Sequence, residues 1–250
     1  MQKTAKVTST TCIVIPCYNE EKGLPLKEYE NFIQKNEQVI LAFVNDGSSD
    51  NTLVVLEKLK SKFPAKINVI SYKDNKGKAE AVRFGMQHCL QHIDFKYIAY
   101  LDADLATSLD ECNAMVQNFD DKITFVFGSR IKRIGANIER KRSRFLIGRI
   151  IATVISTILK LPVYDTQCGC KIFTRDLAEK VFTKPFISKW LFDVEIFQRI
   201  MELYGREKSL EKMIEIPLKS WIEKGDSKVK ASYFFKLWID LFRISQLSKA

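Results

Sequence analysis

No stretch of about 20 uncharged apolar residues occurs in the 250-residue sequence, so no ordinary transmembrane helix is expected. The nearest candidate, 145–161, is short and carries Arg149 and Lys160. The six cysteines (Cys12, Cys17, Cys89, Cys112, Cys168, Cys170) form no C-x-x-C pair and no zinc-finger spacing. The opening MQKTAKVTST has no apolar core, so no signal peptide is expected there. Both features favour a reducing, cytoplasmic setting. Internal repeats and low-complexity tracts are absent. Gly and Pro are sparse, at 10 and 6, while 46% of residues are hydrophobic and 28% charged. That balance excludes a fibre, a disordered chain and a Cys-dense scaffold.

What is present in excess is positive charge. Forty Lys and Arg stand against 30 acids, for a formal net charge of +10. Such a balance suggests an anionic partner: nucleic acid, phosphates or an anionic membrane surface. The excess is localised. Arg130, Lys132, Arg133, Arg140, Lys141, Arg142, Arg144 and Arg149 face one acid, Glu139, between 130 and 149.

Short apolar runs at 11–15, 39–44, 67–72, 97–102 and 123–128 are β-branched or aromatic and bounded by polar turns, so they read as buried strands. Helical patterns lie between them at 20–35, 50–62, 77–92 and 108–118. This alternation predicts an α/β fold with a mostly parallel sheet flanked by helices. NDGSSDN (45–51) reads as a tight strand-to-helix turn, with Ser48, Ser49 or Asp50 as N-cap. The whole of 1–250 reads as a single domain. A soft boundary near 130 divides a nucleotide-binding part (1–130) from an acceptor-binding, membrane-facing part (131–250).

The candidate chemistry sits at strand ends. Asp102-Ala103-Asp104 follows YIAYL, which puts both carboxylates at the edge where open α/β sheets bind ligands. Two such carboxylates can share a hard divalent cation that also grips a diphosphate. Alone, the pattern is equally a strand end with Asp104 capping the next turn. Three more polar clusters converge on the same crevice: Pro16-Cys17-Tyr18-Asn19-Glu20-Glu21, Asn45-Asp46-Gly47-Ser48-Ser49-Asp50, and Asn75-Lys76-Gly77-Lys78. Each alone is ordinary turn chemistry; the four together in this order are hard to dismiss.

These runs (I-P-x-Y-N-E, V-x-D-G-S-x-D, N-x-G-K-x-x-A-V-R and D-A-D) resemble those of inverting family-2 glycosyltransferases with the Rossmann-like GT-A fold. Gly128-Ser129-Arg130, the segment Asp165-Thr166-Gln167-Cys168-Gly169-Cys170-Lys171 through Arg175, and Trp190 to Glu195 are similar to dolichyl-phosphate β-glucosyltransferases and bacterial polyprenyl-phosphate relatives. The resemblance spans about 11–240. Three departures stand out. Ala106 replaces the Gln that helps hold metal in related mannosyltransferases, Cys170 stands where Phe is usual, and a downstream R-x-x-G-x-S-K keeps only Lys228 with confidence.

The resemblance implies a nucleoside-diphosphate sugar donor, foremost a UDP-sugar such as UDP-glucose. Pro16, Tyr18 and Glu20 would line the base and ribose pocket, and Asp46 would accept from base or ribose. Asp102 and Asp104, with Ala103 between them, would hold Mg²⁺ or Mn²⁺ on the diphosphate. Lys78 and Lys76 would add charge near the phosphates, or else are solvated helix-start lysines. The implied acceptor is a polyprenyl or dolichyl phosphate. It is already anionic and needs counter-charge and aim, for which Arg130 is the first candidate and Arg142 and Arg144 the second. A hydroxyl acceptor, such as a growing polysaccharide, would instead need a base, and Asp193 is the obvious one. Asp193 in an interior hydrogen-bonding role is the alternative. On the first reading Arg130→Ala cripples transfer and Asp193→Asn is milder.

Two C-terminal amphipathic helices are expected. Over 142–161, Arg142, Arg149, Thr153, Ser156 and Lys160 form one polar stripe on an otherwise apolar helix, the profile of a membrane-interface helix. Over about 229–247, Lys236, Asp240 and Arg243 share one face, with Phe234, Phe235, Trp238, Leu241 and Phe242 on the other. Packing against the sheet is the alternative for both. The expected setting is the cytoplasmic face of a membrane, peripheral or monotopic, with a homo-oligomer left open. A nucleic-acid-binding reading is disfavoured, because the charge is one cluster flanked by aliphatic residues and no nucleic-acid motif accompanies it.

Overall fold

The computed structural model describes residues 11–224 and 233–246, with only the backbone of 142–144, 233–238 and 245. Lys228 and its neighbours lie outside the described residues. The first half alternates as the hydrophobic pattern dictates: β1 (Thr11–Cys17), α1 (Leu26–Lys35), β2 (Val39–Asp46), α2 (Thr52–Lys62), β3 (Ile67–Tyr72), α3 (Lys78–His92), β4 (Tyr97–Leu101), α4 (Leu109–Met115) and β5 (Phe125–Ser129). The second half adds β6 (Asn137–Glu139), α5 (Arg142–Leu159), β7 (Cys170–Thr174), α6 (Arg175–Val181) and α7 (Phe192–Tyr204). It closes with α8 (Arg206–Leu210), β8 (Met213–Pro217), β9 (Ser220–Ile222) and α9 (Tyr233–Gln246).

Seven strands form one sheet in the order β3-β2-β1-β4-β7-β5-β8, while β6 and β9 pair separately. The sheet is parallel except for β7, which runs antiparallel to both β4 and β5. The expected succession of five strands therefore misses an insertion: β4 and β5 do not touch, because a strand from beyond residue 130 lies between them. The soft boundary near 130 divides the chain but not the sheet. Pro16 fits inside β1 because the pairing of β1 with β4 has already ended at Val14–Tyr100, so no amide is needed on that side.

Both sheet faces are covered, and successive residues on each strand feed opposite cores. On β7, Cys170 and Ile172 join the core beneath α1 and α4, whereas Phe173 joins the aromatic core beneath α7. Lys171 points to that second side and is fully buried. The N-cap of α2 is Asn51, not one of the three expected residues, although Asp50 supplies the capping bond by accepting the Thr52 amide at 3.0 Å.

The two late helices depart from their expected orientations. On α5, Ile155 and Leu159 are buried and Ile151 packs on the core, while Leu146, Ile147, Ile150 and Ile158 are exposed. The helix thus has two apolar edges, one packed toward α7 and α9 and one facing outward. It stops at Leu159 because Lys160 turns left-handed (φ 52°). On α9, Asp240 is buried with Leu241 and Ile244, and Phe242 is exposed. The expected face shared by Lys236, Asp240 and Arg243 is split, with Asp240 buried and Arg243 exposed, while the Lys236 side chain lies outside the described part. The Ser188 hydroxyl donates to Asp240 at 2.7 Å, which satisfies the carboxylate inside. Among the described residues no helix is long and apolar enough to cross a membrane.

Candidate active site

The D-x-D turn is fixed from three sides. The Asp102 amide donates to the Gly169 carbonyl at 3.2 Å, and the Asp102 carboxylate lies against Gly169 so closely that a Cβ there would sit 2.1 Å from Oδ2. A side chain there would push the Asp102 carboxylate aside, which gives the glycine of the 165–175 segment a steric reason. From α1 the buried Tyr29 hydroxyl donates to the Ala103 carbonyl at 2.9 Å. Asp104 Oδ1 accepts the Ala106 amide at 3.0 Å, and Leu105 adopts a left-handed φ of 51°. A buried leucine in that region is strained backbone of the kind found at functional sites. Burial raises the Asp104 carboxyl above its ordinary pKa; the Ala106 amide opposes this and Asp102 adds to it.

Lys78 begins α3 and forms an ion pair with Asp102. Burial disfavours its charge, yet Asp102 and then Asp193 hold its pKa above the ordinary lysine value. Lys78 is therefore part of the carboxylate cluster, not a solvated helix-start lysine. The mouth of the site is lined by Tyr18, which is exposed, and by the loop after β1. There the Glu20 amide donates to Thr52 Oγ1 at 2.7 Å, and the Ser49 amide donates to Asn19 Oδ1 at 2.8 Å.

Asp46 is not presented as a free acceptor. Its carboxylate receives the Lys76 amide at 2.8 Å, the Gly77 amide at 2.9 Å and Asn75 Nδ2 at 3.0 Å. It is buried and holds the turn that launches Lys78. Gly47, at φ +60°, permits that approach, since a Cβ would meet the Asn75 nitrogen at 2.5 Å. Asp193 is likewise turned inward: Lys171 donates to its Oδ1 at 2.6 Å and the Tyr100 hydroxyl donates to the same oxygen. An inward, ion-paired carboxylate is poorly suited to take a proton from an acceptor.

A second cluster lies around β5 and α5. Arg130 grips Asp165 with both carboxylate oxygens, Nε to Oδ2 at 2.6 Å and an Nη2 to Oδ1 at 2.8 Å. Burial opposes ionisation of Asp165, but Arg130 outweighs it and lowers the carboxyl to about 2. The loop bearing Asp165 is held in turn by Glu215, which accepts the Tyr164 and Asp165 amides at 2.9 and 2.8 Å. Arg130 thus serves a carboxylate first, instead of standing free as the expected clamp. It borders a small cleft, with a cavity of about 20 Å³, that is also lined by Arg140, Arg149, Thr166 and Gln167, with Phe145 and Ala152 of α5 as its apolar wall. Arg149 stacks on Tyr164 (3.6 Å to the ring centroid) and donates to its carbonyl at 3.0 Å. Arg140 lies over Gly148, where a Cβ would be 2.7 Å from its guanidinium. The buried Thr166 hydroxyl has no hydrogen-bond partner among the described residues. Sequence reading missed Arg149 and Arg140 as cleft residues. The side chains of its alternatives, Arg142 and Arg144, lie outside the described part.

Among the described residues no cluster of three or more His, Cys, Asp or Glu forms a ready metal cage. Asp102 and Asp104 suit a hard divalent ion whose other ligands come from a diphosphate and water, the usual situation of Mg²⁺.

Comparison with known proteins agrees with this geometry. The Glycosyl transferase family 2 profile matches residues 12–182. A dolichyl-phosphate beta-glucosyltransferase of Trichomonas vaginalis is 32% identical over 249 residues, covering 94% of this chain and 70% of the relative. The human dolichyl-phosphate beta-glucosyltransferase is 29% identical over 241 residues, covering 87% and 73%. In fold the chain is similar to mannosyl-3-phosphoglycerate synthase from Rubrobacter xylanophilus (TM-score 0.68, 16% identity, 95% of this chain and 73% of that one). It is also similar to glucosyl-3-phosphoglycerate synthase from Mycobacterium tuberculosis crystallised with Mn²⁺, UDP and glucosyl-3-phosphoglycerate (TM-score 0.62, 15% identity, 99% and 85%). The sheet shared with these solved structures gives the chain a GT-A fold, and the profile match and the 32% identical relative make it a member of glycosyltransferase family 2.

Proposed function

We propose that this enzyme transfers glucose from UDP-glucose to a polyprenyl phosphate of the dolichyl class, with inversion at C1, at the cytoplasmic face of a membrane. The observation that carries the reading is the cleft. Three arginines and an unpartnered buried hydroxyl line it, next to a helix whose other edge exposes Leu146, Ile147 and Ile150. A phosphate on a long prenyl chain offers the complement to both features: oxygens for the guanidinium groups, hydrocarbon for the apolar edge. The relatives' activity, glucosyl transfer to dolichyl phosphate, supports the same assignment.

Pro16, Tyr18 and Glu20 border the base and ribose. Lys78 and the Lys76–Gly77 turn face the diphosphate, with Asp46 holding that turn. Asp102 and Asp104 would hold Mg²⁺ or Mn²⁺, which supplies charge neutralisation for the departing diphosphate. An acceptor phosphate oxygen, already ionised, attacks C1 from the face opposite the leaving group. A C1–O bond forms as the C1–O bond to the diphosphate breaks, and the nucleoside diphosphate leaves with the electron pair. No general base enters, in keeping with Asp193 being tied to Lys171. The hydroxyl-acceptor reading loses Asp193 as its base, because Lys171 and Tyr100 already occupy that carboxylate.

The test is a donor and acceptor matrix: purified protein, Mg²⁺ or Mn²⁺, labelled nucleotide sugars, and either a short polyprenyl phosphate or an oligosaccharide. Transfer from UDP-glucose to the lipid phosphate is the expected result. Transfer to the saccharide without need of the lipid would overturn it.

A further inference from the structure

Directly under the D-x-D turn lies a charged pair to which the proposed reaction assigns no step. Lys171, in the middle of β7, is fully buried, and Asp193, in the first turn of α7, nearly so. They meet at 2.6 Å because β7 turns Lys171 toward the face that α7 covers. One further contact leads to the site. Lys171 Nζ also donates to the Cys168 carbonyl at 2.7 Å, in the turn whose next residue, Gly169, receives the Asp102 amide and leaves room for its carboxylate. Tyr100, opposite Lys171 across the β4–β7 ladder, closes the cluster by donating to Asp193.

We infer that Lys171 and Asp193 are positioning residues for the donor-diphosphate site: one buried ion pair that sets Asp102 through the 168–169 turn. Asp193 holds the Lys171 ammonium, and Lys171 holds the turn on which the Asp102 amide is bonded. An uncharged residue at either buried position leaves the other ion unpaired and loosens that turn. Replacing both removes the support but leaves no orphan charge. This inference rests on the donor reading only in naming the ligand; it makes no use of the lipid acceptor.

The experiment compares Asp193→Asn, Lys171→Arg and the double variant Lys171→Met/Asp193→Leu with the parent protein. The probes are UDP binding by calorimetry with Mn²⁺ present, amide hydrogen exchange of 101–104 and 168–170, and the pH profile of turnover. Losses of about 10- to 100-fold in UDP affinity are expected for Asp193→Asn and for the folded double variant, the usual scale for groups that orient a ligand-binding carboxylate. Exchange at both segments should quicken, Lys171→Arg should retain most of the affinity, and the acidic limb of the pH profile should stay. Parent-like UDP affinity and exchange in Asp193→Asn, with lost turnover and a lost acidic limb, would overturn the inference and make Asp193 a proton acceptor. Parent-like values in the double variant would overturn it too, whatever the single variants do. Absence of UDP binding by the parent protein would count against the donor reading, while the exchange comparison would still judge the positioning role.

Discussion

The two sides of the site hold their charges in different ways. On the donor side the Lys78–Asp102 pair keeps a third or more of each side chain exposed, 33% and 38%. On the acceptor side Arg130 and Asp165 are exposed by only 15% and 10%, with bidentate geometry and a third bond from the Arg130 amide. A half-buried pair that water still reaches exchanges partners at lower cost than a buried one. A buried bidentate pair stays together, because either ion left alone is poorly solvated. On the proposed function the donor side is therefore the half that can be remodelled, with Lys78 free to exchange Asp102 for a diphosphate once a cation takes the carboxylate. The acceptor side is a fixed frame in which Arg130 sets the wall, while Arg140, Arg149 and Thr166 face the cleft.

Asp102→Asn attacks the exchangeable pair and should have the largest effect. Losing one anionic ligand is expected to cost about 4 kcal/mol in the barrier, a rate loss of about 10³-fold. Thermal unfolding should be close to parental, as measured by calorimetry beside Mn²⁺-dependent turnover. Arg130→Gln attacks the fixed frame, and its primary readout is stability: about 3 kcal/mol of destabilisation in a denaturant titration, because Asp165 is left buried without its partner. Retained stability with lost lipid affinity would erase the contrast, making Arg130 a ligand first and a strut second.

The acid range gives a sharper test of the same pair. Asp165 has a folded-state pKa lowered to about 2, below its unfolded value. Its contribution is therefore complete above about pH 4 and is lost as pH falls toward 2. The parent protein should lose on the order of 2 kcal/mol more than Asp165→Asn over that interval. Equilibrium unfolding at pH 5, 4, 3 and 2 measures it. A smaller effect is expected at the cleft surface. Arg149→Ala should raise the KM for polyprenyl phosphate about tenfold, the scale of one charge-assisted hydrogen bond, with UDP affinity unchanged. Gly148→Ala, which displaces Arg140, should shift the same constant in the same direction by less.

The donor side was far more legible in the sequence than the acceptor side. Strand ends, N-D-G-S turns and D-x-D are local signals, and all four clusters converge as their order suggests. What escaped depends on contacts between distant segments. Asp46 looked like a ligand because its three donors sit thirty residues away, at 75–77. Asp193 looked like a base because Lys171, in the middle of an apolar strand, announces no partner. Tyr29 reads as one more apolar residue on an amphipathic helix, and nothing local shows its hydroxyl reaching Ala103. Strand β7 was hidden by the lysine at its centre, which interrupts its apolar run. The outer helices were legible as amphipathic but not in orientation, since a helix with two apolar edges has no unique inward face.

The antiparallel insertion of β7 also has a consequence for how the chain reaches its native state. During synthesis β4 and β5 emerge with no partner between them, and the gap is filled only when residues 170–174 arrive. Until then the growing sheet carries two open edges of apolar strand, the template on which unwanted pairing with other chains occurs. Closing the gap also brings Gly169 against Asp102. Assembly of the sheet and completion of the carboxylate site are thus one late, non-local event, so a chain folded only as far as its first four strands has neither a finished core nor a competent site.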